Sequence, residues 1–358
     1  MTRLLAYESN DITELLQQPP EHRDADWLKD ALQQAVMLEL ATLPPYLCGM
    51  WSIENPDEDS DVFDALKEVV FDEMSHLGLV GNLLTTIGGT PRLADENVVP
   101  KYPGPLPGGV RPGLSVSLGG LTRESLDMFS RMEQPEEPIS LVGRSPRITI
   151  GGFYAAVLEA FRGHADLITG ARQLTRNMAH HGAGNNVVAI TSFPQVEAAI
   201  KVIREQGEGT SASPENPYPG AVGELAHFYV FREILHGRKL IRVSENPARW
   251  DFEGDEIRMP RTLPMGRVPK GGWGAGNSAV PDPETRKLLD SFNQSYSSML
   301  RALEQAWRTD LPAKAKELLN KAVSQMFTLQ EPARALMRRP LPGGGGKTYG
   351  PEFRYVDT

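Results

Sequence analysis

A charged pair inside an apolar helical stripe is the feature that most constrains this chain. The apolar residues that recur there at helical spacing are Val69, Val70, Leu77, Val80 and Leu84. Glu73 and His76 lie within the same stripe, three residues apart, so both side chains project from one face. Burying a carboxylate and an imidazole is costly unless they are paired or bind a metal ion. The stretch therefore predicts a helix over about 62–86 that carries part of a metal site.

The helix predicted before it supplies another candidate ligand. It begins near Asp24 or Asp26, either of which is a suitable cap, and Glu39 lies among apolar residues in its interior. Pro44-Pro45 follows within two turns of Glu39. Because proline removes backbone donors, the pair is expected to kink or end the helix.

Two later helices carry acidic residues in similar surroundings. The third long helix is predicted over about 151–173 and places Glu159 on a face of glycine and alanine. The fourth is predicted over about 221–236 and contains Glu224 and His227, again three residues apart. The four helices thus present Glu, Glu-x-x-His, Glu and Glu-x-x-His in chain order, which is the ligand pattern of ferritin-like di-metal carboxylate bundles.

This order predicts a metal site built from carboxylates and imidazoles. The six candidate ligands are Glu39, Glu73, His76, Glu159, Glu224 and His227. Oxygen and nitrogen donors of this kind favour iron or manganese over soft metals. A third Glu-x-x-His, Glu233 to His236, begins nine residues after Glu224, about 180° around the same helix, and is interpreted as a solvated helix end.

Length and patterning favour one mainly α domain over residues 1–358, a ferritin-like four-helix bundle with additions. Proline- and glycine-rich loop insertions are predicted at about 91–120, 174–220 and 238–282, and two further helices at about 283–337. Small β insertions are expected within the loops, including a short strand at 114–118, where apolar and polar residues alternate.

Composition excludes several other classes of protein. The net charge of -9 argues against nucleic-acid binding, and without a run of about 18 apolar residues no membrane span is predicted. The first eight residues lack the apolar region of a signal peptide. Cys48 is the only cysteine, which excludes an intrachain disulfide and a cysteine zinc cluster. A cytoplasmic location is expected, and the oligomeric state is left open, a homo-oligomer included.

Several stretches resemble a ferritin-like family found in bacterial natural-product pathways. The matching motifs are Leu40-Ala41-Thr42-Leu43-Pro44-Pro45-Tyr46-Leu47, Asp72-Glu73-Met74-Ser75-His76, Thr149-Ile150-Gly151-Gly152-Phe153-Tyr154, Gln206-Gly207-Glu208-Gly209-Thr210 and Glu224-Leu225-Ala226-His227-Phe228-Tyr229. The family includes the ferritin-like part of the iminophenyl-pyruvate dimer synthases of violacein and rebeccamycin biosynthesis. The resemblance covers nearly the whole chain and implies a metal-dependent oxidative step on an aromatic amino-acid-derived or related small molecule. The large synthase has additional regions, so its own substrate is not transferred to this chain.

The resemblance departs at one position, because the family pattern implies a glutamate where this chain has Gly152. Glu159 lies two turns further along the same face, a rise of about 10.5 Å at 1.5 Å per residue. We predict that Glu159 is a ligand, since an unpaired glutamate on a face of glycine and alanine would otherwise be buried at a cost of several kcal/mol. If it is not, the site lacks one carboxylate and loads incompletely.

The predicted function is that of a metal-dependent oxidoreductase acting with O₂ on a small, amino-acid-derived molecule in natural-product biosynthesis. The expected metal is iron, in a di-iron or mononuclear site, with manganese as the alternative. Segments 91–120 and 207–220 are expected to form walls of the substrate pocket. Two alternatives stay open: a non-catalytic metal-binding or storage protein of the same fold, and a metal-free helical protein whose glutamates and histidines bond to each other.

Overall fold

The structure, a computed structural model, is built mainly from α-helices, as the sequence predicts. It describes residues 7, 11–135, 150–179, 186–207, 213–216, 224–245, 248–276 and 278–357. The helices are α1 (Asp11–Gln17), α2 (Ala25–Trp51), α3 (Ser60–Thr86), α4 (Arg123–Met132), α5 (Ile150–Gly163), α6 (Phe193–Gly207), α7 (His227–His236), α8 (Pro283–Arg308), α9 (Pro312–Thr328) and α10 (Gln330–Leu336). Strands β1 (Ile241–Glu245) and β2 (Ala248–Asp251) pair as an antiparallel hairpin. None of the helices in these ranges has the length and apolarity that crossing a membrane requires.

Helices α2 and α3 form the centre of the fold. Every residue of α2 from Ala31 to Trp51 is buried, which is the pattern of a helix covered on all sides. The two helices run antiparallel. Thr42 bonds to Glu73 midway along α3, whereas Gln33, nearer the start of α2, bonds to Arg92 beyond the end of α3. These two long helices carry several of the candidate ligands.

Helix α2 begins as predicted but does not end where expected. The Asp24 side chain caps it by accepting a hydrogen bond from the Trp27 amide. The sequence predicts that Pro44-Pro45 kink or end the helix; the helix does not end there but continues through both prolines to Trp51. Pro45 cannot donate to the carbonyl of Ala41, and the hydroxyl of Tyr102 donates to that oxygen instead, at 2.7 Å. A tertiary hydrogen bond thus replaces the missing helical one.

Shorter helices surround the central pair. Helix α4 packs on α7 and α5 packs on α6, while α4 and α5 also contact α2, and α6 and α7 contact α3. At the other side, α8 and α9 pack together and α10 contacts both α2 and α8. Trp307 of α8 lies against Gly81 of α3, where an added Cβ would lie 2.3 Å from the indole ring. Only glycine permits this close approach of α8 to the centre.

Two predicted segments differ from the structure. The alternating piece at 114–118 is not a strand, and Val116 makes only an isolated bridge to Gly104. The final helix, predicted as one piece, is divided into α9 and α10 at Leu329. The β hairpin of β1 and β2 lies within the predicted insertion 238–282, where small β elements were expected.

The third predicted helix is shorter than expected because tertiary hydrogen bonds capture the chain that follows it. Residues 169–174 bond to the carboxy-terminal end of α3 instead of extending α5. Asn82, which is fully buried, accepts from the Leu174 amide and donates to the carbonyls of Leu174 and Val188 at 2.6 and 2.8 Å. Its oxygen also accepts from the indole nitrogen of Trp307 at 3.0 Å. One side chain therefore joins three segments of the fold.

Replacing Asn82 should destabilise the protein strongly. Asn82→Ala leaves several buried donors and acceptors unpaired, at about 1–3 kcal/mol each, so the free energy of unfolding should fall by about 3 kcal/mol or more. Urea unfolding followed by circular dichroism measures it. Asn97→Ala is the control, because Asn97 is exposed and bonds to Asp95 in its own turn; its effect should stay within about 0.5 kcal/mol. Equal losses in the two variants would contradict this role for Asn82.

Candidate metal centre

Three of the predicted ligands meet between α2 and α3. Nδ1 of His76 lies 3.6 Å from Oε2 of Glu39 and 3.5 Å from Oε1 of Glu73. The exposed fractions of Glu39, Glu73 and His76 are 5%, 1% and 2%. One potential ligand atom from each of the three lies within 4.8 Å of the others. The helical spacing on α3 and the antiparallel packing of α2 are what bring them together.

A second group shares Glu73 with the first. Nδ1 of His227, the first residue of α7, lies 2.8 Å from Oε1 of Glu73. Glu133, directly after α4, completes this group, again with ligand atoms within 4.8 Å of one another. The imidazoles of His76 and His227 are stacked, with their ring centroids 5.7 Å apart. The carboxylate of Glu73 therefore faces two imidazoles, one in each group.

Polar residues outside the centre orient both imidazoles. Nε2 of His76 lies 2.9 Å from Oε1 of the buried Gln206. Nε2 of His227 lies 3.5 Å from Oδ2 of Asp72, at the limit of hydrogen bonding. An Nε2–H that donates outward leaves the Nδ1 lone pair of a neutral imidazole directed at Glu73. This is the way in which outer partners select the ligating tautomer of metal-bound histidines.

Hydroxyl groups hold one oxygen of each carboxylate. The donor and acceptor pairs are Thr42 with Glu73 (2.7 Å), Tyr46 with Glu133 (2.5 Å) and Tyr154 with Glu39. Burial, followed by the charge of Glu133, raises the pKa of Tyr46 well above its ordinary value. Burial and Glu39 do the same to the pKa of Tyr154. Both phenols therefore remain protonated and act as donors, which fixes the carboxylates while their second oxygens stay available.

The ionisable groups of the centre are strongly coupled in the metal-free protein. Burial by itself raises the pKa of Glu73, but His76 and His227 outweigh burial and lower it. Burial by itself lowers the pKa of His227, yet its contacts with Asp72 and Glu73 raise that pKa to about 10. Burial, followed by the charge of Glu73, raises the pKa of Glu133 to about 8. Protons thus balance the buried carboxylates, and bound cations would displace them.

The contacts between imidazole and carboxylate fit a metal ion better than hydrogen bonds alone. Nδ1 of His227 is buried and has no hydrogen-bond partner, although Oε1 of Glu73 approaches to 2.8 Å, because the contact lacks hydrogen-bond geometry. Nδ1 of His76 faces two carboxylate oxygens at distances too long for good hydrogen bonds. Lone pairs from nitrogen and oxygen directed at a common region are what a cation requires. The two groups could each hold a metal ion, with Glu73 common to both.

A small cavity opens onto this centre. Its volume is about 30 Å³, which is room for about two water molecules at roughly 10–15 Å³ each. The acidic and basic residues in its lining are Glu39, Glu73, His76, Glu133 and Arg204. The apolar part of the wall includes Leu106, from the insertion predicted at 91–120, and Ile203 of α6. Space therefore exists for small ligands directly beside the candidate metal ligands.

Helix α5 brings a tyrosine rather than a carboxylate to the centre. The structure does not bring Glu159 there, because its side chain is 62% exposed and bonds to Arg162. Gly152, where the family pattern implies a glutamate, is exposed on the same face. The opposite face of α5 is buried and carries Tyr154, whose hydroxyl bonds to Glu39. The burial cost that motivated the choice of Glu159 does not arise.

Glu224 also lies outside both groups, although His227 does not. The fourth helix begins only at His227, with Ala226 in extended conformation before it, so Glu224 is not on the helix. Its backbone pairs instead with residues 214–216, and its side chain is exposed. Burial and the charges of Asp72 and Glu68 raise the pKa of Glu224. The expected Glu-x-x-His on α7 is therefore not formed as a helical pair.

Glu233, interpreted from the sequence as part of a solvated helix end, is instead buried near the end of α7. It accepts hydrogen bonds from Lys239 and from the Leu240 amide. His236 is exposed, as expected, and stacks on Phe252. Gly237 caps α7 with a φ of 75°, as the sequence predicts. The carboxylate of Glu233 thus has a structural role in joining α7 to the chain that follows.

Glu133 is the functional candidate that the sequence reasoning missed. It belongs to an acidic turn in the sequence, which makes it resemble a surface charge. A signal was present, because Leu126 and Phe129 precede it at helical spacing on the buried face of α4. Continuing that stripe by one turn reaches Glu133, just as Glu73 continues the stripe of α3. Residues 136–149 and 208–212, including Glu208, lie outside the described part of the chain.

The carboxy-terminal turn of α6 also faces the centre, which its sequence did not reveal. Gln206 contacts His76, and an added Cβ on Gly207 would lie 3.0 Å from Oε2 of Glu133. Glycine at this position therefore leaves room for the Glu133 carboxylate. The motif that contains both residues is one of those shared with the natural-product family.

Comparison with known proteins agrees with this fold. A family model described as ferritin-like matches residues 32–236, more than half of the chain. The chain is 24% identical to dichlorochromopyrrolate synthase of Lentzea aerocolonigenes, over 90% of this chain and 35% of the synthase. It therefore spans about a third of the length of that relative. A crystal structure of a ferritin-like protein from Caulobacter vibrioides covers 92% of this chain and 97% of its own, with a TM-score of 0.58 and 19% identity.

The family match includes most of α2 and all of α3, which carries the shared carboxylate of Glu73, and extends to the end of α7. The chain belongs to the ferritin-like family. The expected fold class is therefore confirmed, whereas the assignment of individual metal ligands stays a prediction.

Metal content should distinguish Glu133 from Glu159. Glu133→Gln removes a buried charged donor from the centre, so about one of two bound ions should be lost or bound at least about 10-fold more weakly. Glu159→Gln, the matched control on an exposed face, should leave the metal content unchanged. Elemental analysis after equilibrium dialysis measures both. A loss of metal in Glu159→Gln with none in Glu133→Gln would restore the original assignment.

The outer partner of His76 should matter without being a ligand itself. Gln206→Leu removes the acceptor at Nε2, and metal affinity should fall by about 10–100-fold, as is typical for such partners. Competition with a chelator of known affinity measures the change. Gln305→Leu, on the exposed side of α8, is the control. Unchanged affinity in Gln206→Leu would mean that Gln206 does not orient the imidazole.

Proposed function

We propose that this protein is an iron-dependent oxidoreductase that acts with O₂ on a small, amino-acid-derived molecule in natural-product biosynthesis. The observation that carries the proposal is the carboxylate of Glu73, common to two buried groups of glutamate and histidine. A di-iron site is the arrangement that these two groups favour, with one terminal glutamate and one imidazole for each ion. Manganese has the same preference for oxygen and nitrogen donors and is the alternative metal.

The proposed substrate class rests on sequence similarity to a known enzyme rather than on the site alone. The synthase from Lentzea aerocolonigenes is named for a dichlorochromopyrrolate product, and it is related to this chain over nearly the whole of our sequence. Because the chain spans only about a third of that enzyme, we carry over the type of chemistry and not the product. The function proposed here is therefore an oxidative step on a small organic molecule.

The side chains of the centre have separate tasks in this proposal. Glu39, His76 and Glu73 would hold one ion, and Glu73, Glu133 and His227 the other. When bound, redox-active metal ions supply electrons to O₂, which is otherwise unreactive towards most organic molecules. The hydroxyls of Tyr46 and Tyr154 keep the terminal carboxylates in place by donating hydrogen bonds.

The environment of the centre also favours chemistry over simple binding. The cavity beside the centre is small, and its lining includes the apolar residues Leu38, Leu106 and Met132. Charges in such a site interact more strongly than in bulk water.

Loss of either histidine should weaken metal binding strongly and abolish oxidation. In His76→Ala or His227→Ala, metal affinity should fall by more than the roughly 100-fold seen for outer partners, while the fold survives because the apolar faces of α3 and α7 remain. The measurements are iron content, circular dichroism and O₂ consumption with a panel of aromatic amino acids and their 2-oxo acids. His236→Ala, an exposed histidine on the same helix as His227, is the control.

Three results would separate the alternatives. Full iron content in both variants would mean that these histidines are not ligands. Iron bound and oxidised by the wild type without O₂ consumption linked to any organic substrate would favour the storage alternative. A wild type that binds neither iron nor manganese would favour a metal-free helical protein.

A further inference from the structure

One cation in the cavity has no role in the centre described above. Arg204 lies on the last turn of α6 and lines the same cavity as Glu39, Glu73 and Glu133. It is half-buried, and its Nε atom is buried without a hydrogen-bond partner. An arginine in such a position normally bonds to a carboxylate, because its buried donors otherwise remain unsatisfied.

Other arginines near acidic residues do pair with a carboxylate. Arg162 bonds to Glu159 and Glu197, and Arg308 bonds to Glu304. Within the described part of the chain, Arg204 makes no such ion pair, even though three glutamates share its cavity. Those glutamates already have donors from the hydroxyls of Thr42, Tyr46 and Tyr154, so the arginine is not needed to hold them.

We propose that Arg204 binds the carboxylate of the substrate, which makes that substrate a small organic acid. The inference rests on the proposed function, which it deepens by naming the substrate class. A guanidinium presents parallel N–H donors that match the two oxygens of a carboxylate. Space for about two water molecules lies beside it, which a carboxylate group can take.

Charge explains why such a residue is needed. The centre contains three glutamates, and an anionic substrate approaching it is repelled by any charge that bound cations and protons leave uncompensated. A fixed positive charge in the same cavity counters this repulsion at the point of binding. It also sets the orientation of the acid, because a forked donor holds a carboxylate in one plane.

The test compares acids with their methyl esters, which lack the carboxylate charge. Isothermal titration calorimetry on iron-replete protein without O₂ measures the binding of phenylpyruvate, L-phenylalanine and L-tryptophan, each beside its methyl ester. The wild type should bind at least one acid about 10-fold or more tightly than its ester. Arg204→Gln should lose this preference, and Arg204→Lys should keep only part of it, because lysine retains the charge but not the fork.

The control is Lys201→Gln, which removes a positive charge from the same helix. Lys201 is 64% exposed and lies near Glu205, so its loss should leave the preference for acids as in the wild type. Iron content and circular dichroism, measured on every variant, verify that the centre and the fold are intact. The inference is overturned if Arg204→Gln keeps the acid preference, or if no acid binds the wild type more tightly than it binds Arg204→Gln.

These outcomes are distinct from failure of the proposed function. Binding is measured without O₂, so an acid preference that depends on Arg204 stands even if no oxidation is found. Conversely, O₂ consumption by a protein whose acid preference does not depend on Arg204 would leave the oxidase proposal intact and remove only this inference.

Discussion

The carboxylate of Glu73 between two imidazoles is the interaction on which the rest of the structure depends. A buried carboxylate needs positive partners, and Glu73 has them from α3 itself and from the start of α7. Because one oxygen faces both Nδ1 atoms, α3 and α7 meet at this point. Glu39 of α2 and Glu133 after α4 lie beside it. Helices α5 and α6 also contribute side chains there, Tyr154 and Gln206. Removing one partner of a buried charged network is costly, but the apolar faces of α3 and α7 also hold these helices together.

A layer of uncharged donors and acceptors surrounds the charged centre. Hydroxyls of Thr42, Tyr46 and Tyr154 each satisfy one carboxylate oxygen, and Gln206 satisfies the outer nitrogen of His76. These groups leave one oxygen of each glutamate and one nitrogen of each histidine directed inward. The protein thus prepares donor atoms for cations in advance, at the expense of burying many polar groups. Arg204 is the exception in this layer, since it offers donors that no described residue uses.

The sequence predicted the part of the site that lies on long, uninterrupted helices. Glu39, Glu73 and His76 stand in apolar stripes, and helical periodicity alone places them on buried faces. His227 was found through its motif, although the structure shows that the motif is not helical where Glu224 lies. Glu159 lies on an exposed face of glycine and alanine, because α5 buries its aromatic face instead. Small residues occur on both buried and exposed helix faces, so their pattern does not predict which of the two a face will be.

Helical periodicity could not predict the features that tertiary hydrogen bonds determine. The bond from Tyr102 to Ala41 lets α2 continue through Pro44-Pro45, and Asn82 diverts the chain after α5. Neither partner is near in sequence, so local propensity gave the wrong helix ends. Glu133 could have been predicted in part, because the apolar stripe of α4 extends to it. Its acidic neighbours at 136–137, however, are typical of a surface turn.

The most direct test is a crystal structure of the iron-replete protein with anomalous diffraction data collected at the iron absorption edge. If Glu73 is the shared ligand, two anomalous peaks should flank its carboxylate, about 3.5–4 Å apart, as in other two-metal sites. One should lie within bonding distance of Glu39 and His76, and the other within bonding distance of Glu133 and His227. Iron bound elsewhere, with no anomalous peak beside Glu73, would contradict the proposal.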